Sequence, residues 1–580
     1  MTQFDRSAAL ERLASEEFDV LVIGGGITGA GVALESASRG LRTALIEKAD
    51  FASGTSSRSS KLVHGGLRYL QHGELPLVYQ ALHERQRLLR NAPHLVHPLP
   101  FVVPVFRSKR QRTMSAALAT GLWAYDLTGG FRIGRRHRAL ETGDVADLLP
   151  AIDSEKVAKG FLYYDARADD ARLTLAVLRT AALRYDAVAA NYLGATGLLH
   201  RSNGRVAGAV AADTQPGGTA GNKRPATMEI RARCVINATG VWVDDIQGMD
   251  KPGHSRTITP AKGIHITFPA AKLPVRNAAV LPVPNDARSI FVIPWEGGSH
   301  VYVGTTDTEW SGSVDDPACE RSDVEYLIAA VNRFVRTELT PADVTASWAG
   351  VRPLLSRDDS TASGRSAKRT ADLSRRHTVI VSEAGLVTVT GGKLTTYRRM
   401  AEDTLSCAVD LLRESPGGPG VLPPGTLRRS PTRRLRLIGA ASLPALDELA
   451  KAGAASRLGI DENILHHLTG RYGTEAGRLL SLAGDDDALL EPIVEGLPYL
   501  RIEAKWAVSQ EMACTMDDIL TRRTRIALLD AKAAESAATS LAGVLGNAIR
   551  PEAPVMAEQA ASPELPDEDV SAGGTPGGRQ

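Results

Sequence analysis

The sequence predicts an α/β fold that ends in an all-α domain, and three observations carry that prediction. Asp19–Ile23 (DVLVI) is a short apolar run, followed by the glycine turn Gly24–Gly26, a helical stretch over Ile27–Ser38 and a second apolar run over Thr43–Ile46, the alternation of a βαβ unit. Ala278–Leu281, Ser289–Trp295 and His300–Gly304 are β-rich runs parted by turn clusters. Glu414–Thr426 (ESPGGPGVLPPGT) is a linker that breaks any continuing helix, and residues 427–550 beyond it lack strand runs.

Composition bounds what such a chain does. With 580 residues, 43% hydrophobic and 23% charged, it can bury a large core spread over about two to four domains. Its 68 basic and 66 acidic residues leave a net charge of +2, which argues against a nucleic-acid partner. Cys234, Cys319, Cys407 and Cys514 lie far apart and form no CxxC, so neither a metal site nor a disulfide framework is expected. The first 18 residues carry six charges, among them Asp5, Arg6 and Glu11, so no export signal is expected, and no run of about 18 apolar residues predicts a membrane-spanning helix. A cytoplasmic chain whose membrane contact is peripheral is the expectation. Residues 551–580, rich in Pro, Gly, Ala and acid, are expected to be disordered.

The βαβ unit has glycines at Gly24, Gly26 and Gly29, the GxGxxG spacing that lets a pyrophosphate approach the backbone and a helix N-terminus. Gly25 and Thr28 belong to the same turn. Glu47, with Lys48 beside it, ends the second strand, where an acid accepts from ribose hydroxyls. Together these predict a dinucleotide. Phe51–Lys61 (FASGTSSRSSK) is dense in hydroxyls, and beside such a site Thr55, Ser56, Ser57, Ser60 and Lys61 can wrap the pyrophosphate. Cys234–Ile236 runs as a strand into the small-residue turn Ala238, Thr239, Gly240. A further strand, Leu386–Thr390, feeds Gly391, Gly392, Lys393, Leu394 and Thr395 and a helix to about Leu412. That second glycine turn at a helix N-terminus can stabilise negative charge on a reduced flavin, a need that a nicotinamide enzyme lacks, so the cofactor predicted is FAD.

Five segments then carry a resemblance: Ile23–Gly40, Lys61–Leu70 (KLVHGGLRYL), Gly304–Thr308 (GTTDT), Gly350–Leu354 (GVRPL) and Gly391–Ala401 (GGKLTTYRRMA). In this order they resemble the signatures of the FAD-dependent, quinone-linked glycerol-3-phosphate dehydrogenases, and the likeness runs from about Phe18 to about Asp530. Where the family's first signature usually has Asp, this chain has Glu35. The resemblance implies a Rossmann-like FAD-binding domain of the glutathione-reductase and amino-acid-oxidase type, drawn mainly from 18–100, 160–260 and 345–413. It also implies an antiparallel-sheet substrate domain, mainly 101–159 and 261–344, which the β-rich runs should form. The implied activity is oxidation of sn-glycerol 3-phosphate to dihydroxyacetone phosphate by hydride transfer to FAD, in glycerol and glycerophospholipid catabolism, with electrons passed to a membrane quinone. Use of oxygen as acceptor, or a non-catalytic flavoprotein, are the alternatives, and self-association into a homo-oligomer stays open.

This chemistry needs cations for the substrate phosphate and a base for the C2 hydroxyl. Arg68, Arg352 and Lys393 lie in three of the segments and can converge on the phosphate, arginine by bidentate bonds and lysine as a point charge. Tyr69 can hydrogen-bond substrate, and Thr305, Thr306 and Asp307 can line the pocket. His64, followed by Gly65 and Gly66, and His265 in KGIHI are two candidates for the base, and the sequence does not decide between them. For the membrane, Phe106–Leu127 places Arg107, Lys109, Arg110 and Arg112 ahead of Met114, Leu118, Leu122 and Tyr125 at helical spacing, with Trp123 close by. An exposed apolar stripe beside a basic cluster is the expectation there, set against a helix packed on the substrate domain.

Overall fold

The computed structural model describes residues 4–67, 74–215, 226–283, 288–356, 376–414, 429–442, 444–445, 460–546 and 549, with 109–114 as backbone. Arg68, Tyr69, most of the expected linker and the expected tail lie outside these residues, as do the side chains of Lys109, Arg110, Arg112 and Met114.

Among the described residues two sheets organise the chain. In the first, Val387–Thr390, Thr227–Asn237, Glu17–Ile23, Thr43–Ile46 and Val188–Ala190 run parallel side by side. Glu17–Ile23 is central and buried from Phe18 onward, which is why it reads as unbroken apolar sequence. Its alternate residues serve two layers. Val20 and Val22 meet the helices Ile27–Ser38, Asp170–Tyr185 and Tyr397–Glu414, while Leu21 and Ile23 meet the helix Arg6–Ser15 and the strands Leu193–His200 and Val206–Asp213.

The second sheet holds the expected β-rich runs as Ala278–Pro282, Ser289–Pro294 and His300–Gly304, joined to Ile258–Pro269 and Ala346–Leu355 on one side and to Val96–Phe106 and Val157–Ala168 on the other. Its pairings are antiparallel except where Ala278 and Ala279 lie parallel to Phe101 and Val102. One face packs the helix Arg321–Asn332 through Ile264, Ile266 and Phe268, leaving Gly263 and His265 on the other face, toward the first sheet.

Beyond Arg429 the described elements are helical, including Glu462–Tyr472, Arg501–Glu511 and Ala531–Leu545. Thr515 and Asp518 form a reciprocal cap: Thr515 N donates to Asp518 Oδ2 at 3.0 Å and Asp518 N to Thr515 Oγ1 at 3.2 Å. Glu35 is fully buried, pairs with Arg39 and accepts from Ser430 Oγ at 2.8 Å and Thr432 Oγ1 at 2.5 Å. The longer acid thus ties the first glycine-turn helix to the C-terminal part.

The exposed stripe expected on Phe106–Leu127 is corrected. The helix Lys109–Leu127 is present, but Leu122 and Tyr125 are buried and Leu118 packs in the same apolar cluster against Val78 and Leu82. Burying that face removes more apolar area from water than lipid contact through a few residues would. Trp123 and Leu127 remain exposed on the opposite side. Among the described residues no helix is long and apolar enough to cross a membrane.

Candidate active site

At the ends of the parallel strands lies a cavity of about 280 Å³ walled by the turns that leave them. Gly24, Gly26 and Thr28 come from the first turn and Glu47 and Lys48 from the end of the second strand. Ala238, Thr239 and Gly240 follow Thr227–Asn237, and Gly391, Gly392, Lys393 and Leu394 follow Val387–Thr390. Thr55 and Ser56 complete the wall. Glycine is required where backbones meet: Gly24 has φ +112°, and a Cβ there would stand 2.6 Å from the Ala238 carbonyl oxygen. A Cβ at Gly29 would collide with the carbonyl oxygen of Gly24, holding helix and turn apart.

Glu47 braces this turn. Its Oε2 accepts from Gly25 N at 2.6 Å and its Oε1 from Ala49 N at 3.0 Å, and burial raises its carboxyl against those two bonds. Ser56 Oγ accepts from Ile27 N at 2.9 Å, fixing the hydroxyl-rich segment over the helix N-terminus. Thr390 Oγ1 is buried in the wall with no hydrogen-bond partner among the described residues. Close backbone, a helix N-terminus, hydroxyls and an unmet hydroxyl fit a dinucleotide such as FAD. Sequence reading missed Trp242, which lines the cavity with Lys48 Nζ 4.1 Å from its ring centre. An aromatic two residues after Gly240 was the available signal.

The face of the second sheet that lies toward the first supplies the remaining groups. Ala261 pairs with Arg352, Gly263 with Gly350, and His265 with Trp348 and Gly304, so alternation puts these side chains on one face. Three glycines make room there. A Cβ at Gly304 would collide with the His265 ring, one at Gly263 with the Arg352 guanidinium, and one at Gly350 would stand 2.5 Å from the Arg58 carbonyl oxygen. Arg352 donates to Thr305 Oγ1 at 3.0 Å, Thr306 O at 3.3 Å and Asp307 Oδ1 at 3.2 Å, so the GTTDT segment holds the guanidinium. His265 stacks on Trp348, centroids 4.8 Å apart at 10°, and its Nε2 shares a hydrogen bond of 2.8 Å with Ser60 Oγ. Burial first, then the Lys61 and Arg352 cations, push the imidazole well below its ordinary range and keep it neutral. Its Nδ1 is buried with no hydrogen-bond partner among the described residues.

Other expected residues fall behind this surface. Lys61 Nζ donates to Asp170 Oδ1 and Ser57 O, both at 3.1 Å, so it is engaged away from the cavity wall, and Ser57 is buried beside it. His64 is half-buried; its N donates to Thr395 Oγ1 at 3.1 Å, which ties KLVHGG to the Lys393 turn. Gly65 N donates to Tyr125 Oη and Asp165 Oδ1, both at 3.1 Å, and a Cβ at Gly65 would collide with Tyr125. Gly66 has φ +78° and continues the same turn. The buried Arg85, which pairs with Asp165, is a support that sequence reading missed.

Comparison with known proteins agrees with this geometry. A family model described as FAD dependent oxidoreductase matches residues 19–398, and one described as C-terminal domain of alpha-glycerophosphate oxidase matches residues 430–550. Glycerol-3-phosphate dehydrogenase 2 of Mycobacterium tuberculosis is 40% identical over 524 residues, covering 90% of this chain and 83% of that one. The mitochondrial glycerol-3-phosphate dehydrogenase of Homo sapiens is 35% identical over 553 residues, covering 92% and 70%. Among solved structures, glycerol-3-phosphate dehydrogenase from Bacillus halodurans complexed with FAD superposes with a TM-score of 0.69 at 29% identity, covering 93% of this chain and 91% of that one. The chain therefore belongs to the FAD-dependent oxidoreductases, within the glycerol-3-phosphate dehydrogenase family.

Proposed function

We propose that this chain binds FAD in the glycine-walled cavity and oxidises sn-glycerol 3-phosphate to dihydroxyacetone phosphate. The observation that carries the reading is one sheet face holding a neutral, deeply buried His265 beside the Arg352 cation, on a strand whose next residue, Pro353, lines the cavity together with Lys393. FAD, when bound, takes up the C2 hydrogen and two electrons. Arg352 and Lys393 hold the phosphate dianion, and His265 accepts the C2 hydroxyl proton. A neutral imidazole between two cations suits that step, because it is unprotonated at working pH. His64 shapes the turn that meets Lys393.

The electrons pass on to a membrane quinone, reached from the inner face of the cell membrane. Exposed Trp123, Leu127 and Phe131 with exposed Arg132, Arg135, Arg136 and Arg138 form the contact, a pairing of apolar and basic groups that anionic lipid rewards. The test is anaerobic addition of glycerol 3-phosphate to the flavoprotein. Bleaching of the flavin bands, absent with glycerol alone, is the expected result, and an unbleached flavin overturns the reading. Reoxidation by a quinone analogue faster than by oxygen is expected, and the reverse order makes the chain an oxidase.

A further inference from the structure

We propose that the C-terminal helical part positions the base: Arg525 holds Asp170, and Asp170 sets the Ser59–Lys61 turn that carries the hydrogen bond to His265. This rests on the reading of His265 as the base.

Arg525 is fully buried and adopts φ +73°, a conformation that a non-glycine residue takes at a cost. Its Nη2 pairs with Asp170 Oδ1, its Nε and Nη2 donate to Asp169 Oδ1 at 3.1 and 2.9 Å, and its Nη1 donates to Ser57 O at 3.3 Å. Asp170 then works on the turn. Its Oδ2 accepts from Ser59 Oγ at 2.7 Å and Ser59 N at 3.2 Å, and its Oδ1 accepts from Lys61 Nζ at 3.1 Å. Lys61, itself at φ +57°, closes the turn by donating its N to Ser59 Oγ at 3.0 Å. Ser60 stands between these anchors. Its carbonyl oxygen accepts from Tyr302 Oη at 3.1 Å, so sheet and C-terminal part grip the turn from both sides while its hydroxyl meets His265 Nε2.

The same chain of contacts places a charge. Lys61 Nζ lies 5.2 Å from the centre of the Trp348 ring on which His265 stacks. The titratable and charged groups about the imidazole are thus Lys61 on the turn, Arg352 on the neighbouring strand and Tyr302 on the other, with Asp170 and Arg525 behind Lys61. Arg525 touches neither the cavity wall nor His265, which makes it a positioning residue.

The experiment is anaerobic stopped-flow reduction of the full-chain holoenzyme by glycerol 3-phosphate as a function of pH, in wild type, His265→Asn, Arg525→Met, Arg525→Lys and Lys61→Met. A His265→Asn rate within about twofold of wild type at every pH removes the base and this inference with it. With His265→Asn slow, Arg525→Met is expected to lower the rate constant about tenfold with little change in the half-saturating substrate concentration. Lys61→Met is expected to move the acid limb of the profile up by about one pH unit, since loss of the neighbouring cation lets the imidazole take its proton more readily, and Arg525→Met to move it the same way by less, since the anionic Asp169 and Asp170 lose a cation behind the turn. Arg525→Lys, which keeps the charge, should return the limb to the wild-type position. A purely structural role would lower the yield of folded flavoprotein and leave the limb of the surviving holoenzyme unmoved, and that outcome overturns the inference. Should Arg525→Met not fold, an unmoved limb in Lys61→Met overturns it equally.

Discussion

The cavity wall and the seam between the two sheets and the C-terminal helices are both buried and both polar, yet they are built from opposite materials. The wall takes most of its polarity from glycine turns, helix N-termini and hydroxyls, with a few charged side chains such as Glu47, Lys48 and Lys393 among them, and it leaves Thr390 Oγ1 without a partner among the described residues. The seam takes its polarity from full charges. Asp50 receives Arg522 at 2.6 Å and Arg523 at 2.7 Å, Glu511 receives Arg172 at 2.7 Å, and Asp169 receives Arg471 at 2.8 Å and Arg525 at 2.9 Å. Burial would raise the Asp50 carboxyl, but Arg523 and Arg522 hold it below its ordinary value. A neutral hydroxyl such as that of Thr390 can stand without a hydrogen bond until a ligand arrives. A buried charge cannot, because its desolvation costs several kcal/mol unless a partner is in place. The wall is therefore built to receive something, and the seam is built to be finished.

The largest effect expected from this contrast is at Gly24. Gly24→Val places a branched side chain at φ +112° against the Ala238 carbonyl oxygen, in the wall and away from the seam. The variant should purify as a folded protein that has lost most of its flavin, read as flavin absorbance per chain beside an unchanged far-ultraviolet spectrum. Wild-type flavin content would show that backbone approach at this turn is not what admits the cofactor.

The seam should fail in the opposite way. Arg523→Met takes three hydrogen bonds from the module and its neighbour, two to Asp50 and one to Glu511 O, and leaves Asp50 with one cation, Arg522, and the Asn191 amide. Breaking a buried pair on one side costs about 3–5 kcal/mol, so denaturant unfolding should shift by that much while the protein that remains folded keeps its FAD. Asp50→Asn combined with Arg523→Met should recover part of the loss, since the cost lies in the stranded carboxylate. A single variant within about 1 kcal/mol of wild type would mean that these charges do not lock the seam.

The same contrast explains what the sequence disclosed. The wall was legible because its parts are local: strand, glycines, helix and Glu47 fall within Asp19–Glu47, and each turn announces itself by small residues where a strand ends. The fold class followed, because periodicity marks strands and the proline-rich stretch marks a break. Arg352 and His265 were legible as motif residues, but their shared face depends on pairing Ala261 with Arg352 and His265 with Trp348, a register that no local pattern fixes. The seam was illegible for the same reason: Asp50 and Arg523 lie 473 residues apart, and nothing near either announces the other. The helix Lys109–Leu127 shows the converse error. Its periodicity was real, but periodicity tells which residues share a face and not whether protein or lipid covers it, and Tyr125 is used to hold Gly65.

The smallest effect expected is a dependence of the seam on acid, and it turns on His94. This side chain is buried, a Cβ at Gly439 of the C-terminal part would stand 2.9 Å from its Nε2, and its Nδ1 has no hydrogen-bond partner among the described residues. Burial first, then Arg172, push the imidazole down from 6.5 to about 3. Above pH 6.5 it is neutral whether the chain is folded or unfolded, so it adds no pH dependence there. As pH falls from 6.5 toward about 3 the unfolded chain takes up a proton that the folded chain refuses, and stability falls by up to about 1.4 kcal/mol per pH unit. Glu511 joins later: Arg172 and Arg179 overcome its burial and hold it at about 2, so its contribution, full above 4.5, is lost as pH falls toward about 2. Acid should thus loosen the seam first through His94. Unfolding by denaturant at pH 7 and pH 5 measures it: His94→Gln, which does not titrate, should lose about 1–2 kcal/mol less than wild type between the two. Equal losses in the two proteins would show that the folded chain protonates the imidazole as readily as the unfolded one, and Gly439 would then have to be less tightly closed over it.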